Sequence, residues 1–493
     1  MYRLKTPNFR HLAKKYPDTF GSFVKDDGGY EAKIDFQDAE AVRCLAQTLL
    51  MEDFGVHARF SPGNLCPTHA DFDRLTFPNV TLRCGQIPNS ILNHTLPAHH
   101  LLQYHLSPGT TLSQAQIQIR GLDIGTGASA IYPILGVSCF PSWHFIGTDI
   151  DQSSLDYASA NIVHHPSNAN RLGARIRLVP VAQKDSPFLP DTNEDNEEML
   201  HFTMCNPPFY SSAEEMDLLA AFKKVPANAV CHGTPSEMVT AGGEVAFVQR
   251  MIKESLTTNK EVLWWTCMLG KLSSVAQIAG ELKVLAKEGK VGGWGVSELP
   301  TGGGRTKRWV VIWSTTPLRL PDGLSRDGLP GSLEKCRPGS AERLGKVVSM
   351  GPRYARKELL DVVEEILSAL DGCFVYPSAY RDLGKAEGRK DGWKIRDDMG
   401  ALDVIVTQES WTRRARRAKH RPQSSLQEAL KNHLPEQPLL MARISVTEVK
   451  IGLPLKVAWI YGMDSVKFES FAMFLISAVE RKLAGFTDAD AAK

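Results

Sequence analysis

The residues best equipped for chemistry are Cys205-Asn206-Pro207-Pro208-Phe209-Tyr210. The side-chain oxygen of Asn206 and a freed backbone carbonyl, most naturally that of Pro207, can accept both hydrogens of an NH₂ group. Such a pair of bonds holds a planar amine in line with an electrophile and localises its lone pair. Pro207 and Pro208 keep the segment from relaxing into helix. Phe209, with Tyr210, offers a ring for an unstacked base. No strong base or metal is needed where the electrophile is already activated. A rigid turn that happens to read Asn-Pro-Pro-Phe is the competing explanation.

A second constellation is Gly121-Leu-Asp-Ile-Gly125-Thr-Gly127-Ala-Ser129-Ala130. Two close glycines after a strand let the backbone turn sharply and approach a ligand at a helix N-terminus. Plain turn chemistry and dinucleotide enzymes share this pattern. The next apolar run, His144–Asp149, ends in a carboxylate 22 residues beyond Gly127, near the offset at which an acid meets a ribose hydroxyl pair. Asp151 competes for the cap of the following helix, and both roles can hold together. A nicotinamide enzyme would prefer a third glycine where Ser or Ala stands here. That departure favours S-adenosylmethionine.

These loops need a sheet to aim them. Short apolar runs at Gly121–Ile124, His144–Asp149, Ile176–Val181, His201–Cys205, Glu261–Cys267 and Arg308–Trp313 alternate with helical segments. This predicts an α/β, doubly wound, Rossmann-like sheet over 119–316, which the donor favoured above would make a class I methyltransferase sheet. Ligands of such a sheet bind at the carboxyl ends of its strands, so both constellations face one crevice. Ahead of it, residues 1–60 read as a short helical unit. Asp38 caps a stripe of Val42, Leu45, Ala46, Leu49 and Leu50 that Gly55 stops. Residues 61–118 read as an irregular connecting segment. The breaker-rich stretch 317–350 reads as a linker. Beyond it, 351–485 reads as a small C-terminal α+β domain: a helix face of Leu359, Val362, Val363, Ile366, Leu367 and Leu370, strands Arg443–Val449 and Leu455–Tyr461, and a final helix Val466–Leu483.

The 493 residues are 43% hydrophobic and 23% charged, with a net charge of +2. That charge is too small to imply nucleic acid by itself, so any basic footprint must be local. The densest is Trp411–Arg421, with six Lys/Arg and no acid. On a helix, Arg413, Arg414, Arg416 and Arg417 could neutralise several phosphates; a solvated helix or a nuclear-import signal is equally open. Lys223, Lys224, Arg305 and Arg308 are weaker candidates for phosphate contact. The nine cysteines are scattered singly, without zinc-ligand spacing or a disulfide framework, which fits a reducing compartment. No secretory signal and no run approaching the ~20 apolar residues of a membrane span is visible, so neither a metal nor a membrane is expected.

The motifs together resemble the methyltransferase-like family that methylates adenine in U6 small nuclear RNA, related to the bacterial enzyme for an adenine of large-subunit ribosomal RNA. The resemblance rests on Pro7-Asn-Phe9, Lys15-Tyr-Pro-Asp18, Glu40-Ala-Val-Arg43, Thr48-Leu-Leu50, Glu52-Asp-Phe-Gly55 and Asp123–Ser129. It continues through Ile131-Tyr-Pro133, Met204–Phe209, Gly242-Gly-Glu244, Cys267–Lys271, Gly304-Arg-Thr306 and Arg308-Trp309. It implies that Gly125 and Ser129 lie beside the methionine and ribose parts of S-adenosylmethionine, with Asp149 as the ribose acid and Asn206 as the amine holder. Gln183-Lys184-Asp185 is similar to a Gln-Lys-Thr stretch beside the adenine ring. This puts Asp185 at the cofactor and makes Lys184 either a mobile gate or a solvated lysine. The family's Pro-x-Arg-Leu-Asn-Tyr stretch, whose arginine binds the cofactor carboxylate, has a longer counterpart here. Leu82-Arg83 supplies the arginine without Leu-Asn-Tyr, and Ile87–Asn93 the context without the arginine. Arg83 is the carboxylate partner on this alignment, and divergence and a retained intron both remain open for 69–118. In animal members a C-terminal domain with a similar Trp-Arg-Lys run binds RNA.

The expected function is methyl transfer from S-adenosylmethionine to the exocyclic amine of adenine in structured RNA, U6 small nuclear RNA being the expected target. The expected site of action is the nucleus, with the cytoplasm also open. Two alternatives stand beside it. One is a methyltransferase for a small arylalkylamine or a protein glutamine. The other is a non-catalytic RNA-binding protein that retains a methyltransferase-like core.

Overall fold

The computed structural model describes residues 7–25, 28, 32–66, 92, 118–183, 185–190, 199–221, 233–299, 307–326, 329, 331–345, 356–377, 401–418, 438–446 and 454–490. The central sheet has seven strands: β1 (Ile119–Ile124), β2 (Trp143–Asp149), β3 (Ile176–Pro180), β4 (Leu200–Cys205), β5 (Val262–Leu269), β6 (Gly293–Leu299) and β7 (Arg308–Ser314), in the order β3-β2-β1-β4-β5-β7-β6. The strands run parallel apart from β7, which is antiparallel to the rest. Helices α3 (Ile131–Cys139), α4 (Gln152–Ala158), α5 (Ala213–Ala221), α6 (Gly243–Thr257) and α7 (Leu272–Lys287) belong to the crossovers. The expected doubly wound α/β sheet is therefore the fold. Both of its faces are covered, which is why its strands read as continuous apolar runs. The neighbours Trp264 and Trp265, both fully buried, belong to separate cores on opposite faces.

The N-terminal unit packs against the first of these cores through α1 (Phe9–Lys15) and α2 (Ala39–Phe54). The caps of α2 are those expected. The Asp38 carboxylate accepts from the Glu40 and Ala41 amides, and Gly55 closes the helix at φ 61°.

Strand β6 is an addition to the expected set. Three glycines, at 292, 293 and 295, dilute its strand signature. The stretch from Pro317, expected to be a linker, lies across it. A Cβ on Gly293 would stand 2.6 Å from the Leu318 carbonyl oxygen, so glycine is required by the crossing chain. The same stretch ends in strand β8 (Glu342–Gly345), which joins the C-terminal sheet. It is thus a packed strap in its described part, because its breakers bend a chain that is held on both sides.

The C-terminal sheet is antiparallel. It comprises β8, β9 (Cys373–Pro377), β10 (Ala401–Val406), β11 (Leu440–Val446) and β12 (Leu455–Tyr461), ordered β8-β12-β11-β10-β9. Helix α8 (Arg356–Ser368) and the final helix, Ser465–Asp490, cover it, giving the expected α+β character with a core of its own. Arg319 joins the two sheets. Its Nε donates to the Gly462 carbonyl at 2.8 Å and its Nη1 to that of Gly292, and the guanidinium lies 3.8 Å from the Trp459 ring centroid. Burial lowers its pKa to about 10.

Candidate active site

Strands β1 and β4 are parallel neighbours, with Ile124 opposite Cys205. The residues that follow them, Gly125 and Asn206, therefore leave the same sheet edge side by side. Strand order reverses between these two strands, which is where an open α/β sheet forms its binding crevice.

On the cofactor side, Gly125 and Gly127 both have positive φ, 73° and 63°. The Gly125 and Thr126 amides donate to the Thr148 carbonyl, tying the loop to β2. A Cβ on Gly125 would meet nothing within 4 Å, so the loop faces open space there. Ser129 lies in the following turn, half-buried, ahead of α3. Asp149 accepts the Gly127 amide at 2.8 Å and the Asp151 amide at 2.9 Å. Burial, the largest influence, raises its pKa even so. Asp151 takes the cap of α4, its carboxylate accepting from the Ser153 amide. Asp149 is thereby left for the crevice. Beneath the loop, Asp123 is buried, accepts from Thr126 Oγ1 at 2.7 Å, and has a pKa raised to about 7 by burial.

On the acceptor side, Asn206 Oδ1 is buried and meets no hydrogen-bond partner among the described residues. A buried acceptor left unmet costs about 1–3 kcal/mol and calls for a donor. Pro207 is buried, while Pro208 and Phe209 are half-buried. The Arg308 guanidinium lies 5.4 Å from the Phe209 ring centroid, within cation–π range. Arg308 thus belongs to the wall of the site, as well as being a candidate phosphate contact. Tyr210 bridges to Val239, donating its amide to the Met238 carbonyl and accepting from the Thr240 amide. Behind Phe209, the buried Glu244 carboxylate accepts the amides of Gly270 at 2.7 Å and Lys271 at 3.0 Å. Lys271 Nζ meets Glu215 at 2.6 Å, and that partner, with Ser211, holds the Glu215 pKa near about 2. Gly242-Gly-Glu244 and Cys267–Lys271, which carry part of the family resemblance, thus meet here although Glu244 and Gly270 are 26 residues apart.

Asp185 follows β3, ahead of β4. Its side chain is fully exposed, 3.8 Å from Arg250. Arg83, Lys184, Lys223, Lys224 and Arg305 lie outside the described residues. In the C-terminal unit, Arg413, Arg414, Arg416 and Arg417 are exposed on the short helix Arg413–Ala418. Trp411 anchors that helix: it is buried, donates Nε1–H to Ser470 Oγ at 3.1 Å and meets Phe471 edge-on. Among the described residues no helix is long and apolar enough to cross a membrane, and no group of metal-ligating side chains occurs.

A doubly wound sheet with a glycine loop and an Asn-Pro-Pro-Phe segment on one edge defines a methyltransferase of planar amines. Residues 2–316 match the family described as RNA methyltransferase, and the chain belongs to that family. It is 31% identical over 447 residues to the U6 small nuclear RNA (adenine-(43)-N(6))-methyltransferase of Schizosaccharomyces pombe, covering 91% of this chain and 95% of that one. It is 35% identical over 315 residues to the human RNA N(6)-adenosine-methyltransferase METTL16. That match covers 64% of this chain and 49% of the human protein, so the chain matches about half the length of its animal relative. Among solved structures, the human Mettl16 catalytic domain in complex with MAT2A 3′UTR hairpin 1 is similar at 32% identity and a TM-score of 0.48, covering 63% of this chain and 91% of that one.

Proposed function

We propose that this chain methylates the exocyclic amine of adenine in structured RNA, U6 small nuclear RNA being the favoured target, and that it acts in the nucleus. The methyl donor is S-adenosylmethionine, which supplies a methyl group already activated on a sulfonium. The observation that carries the reading is the register of Ile124 opposite Cys205, which sets the open face of Gly125 beside the unmet Asn206 Oδ1. The residues present fit such a donor. Gly125 leaves room for it, Asp149 keeps an acid for a ribose, and Ser129 lies in the adjoining turn. Arg83 is proposed for the donor's carboxylate. Asp185 is the weakest of the proposed cofactor residues, given its exposure.

Asn206 Oδ1 and the Pro207 carbonyl accept the two amine hydrogens, and Pro208 with Pro207 holds that geometry without relaxation on binding. Phe209 carries the base on its ring face, braced by Arg308. Lys184, Lys223, Lys224 and Arg305 are proposed to contact phosphates beside the site. Arg413, Arg414, Arg416 and Arg417 do so from the C-terminal unit, within the division 1–60, 61–118, 119–316, 317–350 and 351–485.

The test is incubation of the full chain with labelled donor and a U6-type hairpin, followed by mass analysis of nucleosides. N6-methyladenosine is the expected product, and Asn206→Ala abolishes it while leaving RNA binding intact. Methylation of free tryptamine or of a glutamine peptide, with none of RNA, would overturn the reading. So would RNA binding without any transfer.

A further inference from the structure

We propose that Glu237 is a positioning residue that couples the Asn64–Leu65 segment and the cofactor loop to the set of the catalytic loop. This rests on the reading of the site given under Proposed function. Glu237 sits on the single helical turn Pro235–Met238, which Thr234 caps. Its Oε2 accepts from the Thr234 amide at 2.7 Å and also from the Leu65 amide at 3.1 Å, a partner 172 residues away. Its Oε1 accepts from Asn64 Nδ2 at 3.4 Å and lies 3.6 Å from where a Cβ of Gly127 would stand. One carboxylate thus meets the N-terminal segment and the cofactor loop at once.

Both ends of this contact lead into the site. On the cofactor side, Asn64 Nδ2 also meets Ser154 Oγ at 3.2 Å, and Ser154 donates to the Asp151 carboxylate at 2.7 Å. The Asp151 amide in turn holds Asp149. On the acceptor side, the turn carrying Glu237 continues into Met238–Thr240, whose backbone clasps Tyr210 from both sides. Gly233 packs against Leu65, where a Cβ would come within 2.8 Å of Cγ, so the turn and the Asn64–Leu65 segment are in close contact. A shift of Asn64–Leu65 is therefore transmitted through Glu237 to Tyr210, the residue after Phe209. Hydrogen bonds to an ionised acceptor are strong enough to carry such a coupling.

The experiment uses the full chain, with Glu237→Ala and Glu237→Gln compared with wild type. Affinity for S-adenosylhomocysteine is read by calorimetry, transfer to a hairpin RNA by kcat at saturating donor, and amide exchange at Leu65 and Thr240 with and without S-adenosylhomocysteine. Glu237→Ala is expected to lose about tenfold in affinity and about tenfold in kcat, as for one charged hydrogen bond. It also loses the ligand-induced protection at Thr240. Glu237→Gln, which keeps one acceptor oxygen, recovers part of each and serves if the alanine variant unfolds. Lost affinity with unchanged kcat at saturation would overturn the coupling, as would unchanged affinity. If wild type protects both amides on binding ligand but transfers no methyl group, the functional reading fails while the coupling stands.

Discussion

Gly270→Ala tests whether the position of Phe209 sets the rate. A Cβ at 270 would stand 2.9 Å from Phe209 Cδ1 and 3.1 Å from Cε1. Ordinary carbon contacts begin near ~3.5 Å, so the ring must recede by roughly 0.5 Å. The new methyl group has no better escape. Glu244 Oε2 stands 3.4 Å away and is fixed by two backbone amides. A misplacement of about 1 Å can cost a hundredfold in rate, so half of that predicts about a tenfold loss of kcat. Cofactor affinity should stay within twofold, because the glycine loop lies on another strand. Overpacking costs about 1–3 kcal/mol, so melting curves must first establish that the variant is folded at the assay temperature. Steady-state transfer to a hairpin RNA and calorimetry with S-adenosylhomocysteine supply the readings. A kcat equal to wild type would refute the argument, and so would a loss confined to cofactor affinity.

The other expectations are briefer. Asn206→Ala removes transfer but leaves affinity for S-adenosylhomocysteine and RNA within a few-fold of wild type; comparable losses in all three would mean Asn206 is structural. Reversing Arg413, Arg414, Arg416 and Arg417 to Glu leaves the melting temperature nearly unchanged, since all four are exposed. It should also flatten the salt dependence of RNA binding by about three in log–log slope; an unchanged slope would remove this helix from the interface. Arg319→Ala cuts the guanidinium clasp on Gly292, Gly462 and Trp459, so calorimetric melting should separate into two transitions; one sharp transition at the wild-type temperature would argue against the clasp. Burial raises the Asp123 carboxyl from its ordinary 3.8 to about 7. The folded chain then holds the extra proton, and this group lowers stability as pH rises from about 4 to 7. Asp123→Asn should therefore flatten the decline of melting temperature across that window in the cofactor-free protein, and an equal slope would refute the assignment.

Much of the central sheet was legible because strands buried on both faces read as apolar runs. Leu200–Cys205 and Arg308–Ser314 match the apolar runs to within a residue, and the caps of α2 match at both ends. Strand β6 was not legible, since its glycines answer to a crossing chain from Pro317 to Ser325 rather than to strand propensity. The same crossing explains the strap. Proline and glycine density marks bends, and a bent chain docked on two sheets carries the same residues as a free linker.

At the site, what was legible is what local spacing encodes: a glycine pair after β1, an acid ending β2, and Asn-Pro-Pro-Phe after β4. What supports those residues was not, because it arrives from far along the chain. Glu244 reaches Gly270 across 26 residues, Glu237 reaches Leu65 across 172, and Arg308 covers Phe209 from β7. The types are informative in hindsight. Glu244, buried and held by two backbone amides, fixes position without competing for substrate. Asn206 is the converse, a buried acceptor that meets no donor among the described residues. A folded chain tolerates that cost where a ligand supplies the donor. The contrast between the two residues separates the group that meets the amine from the groups that aim it.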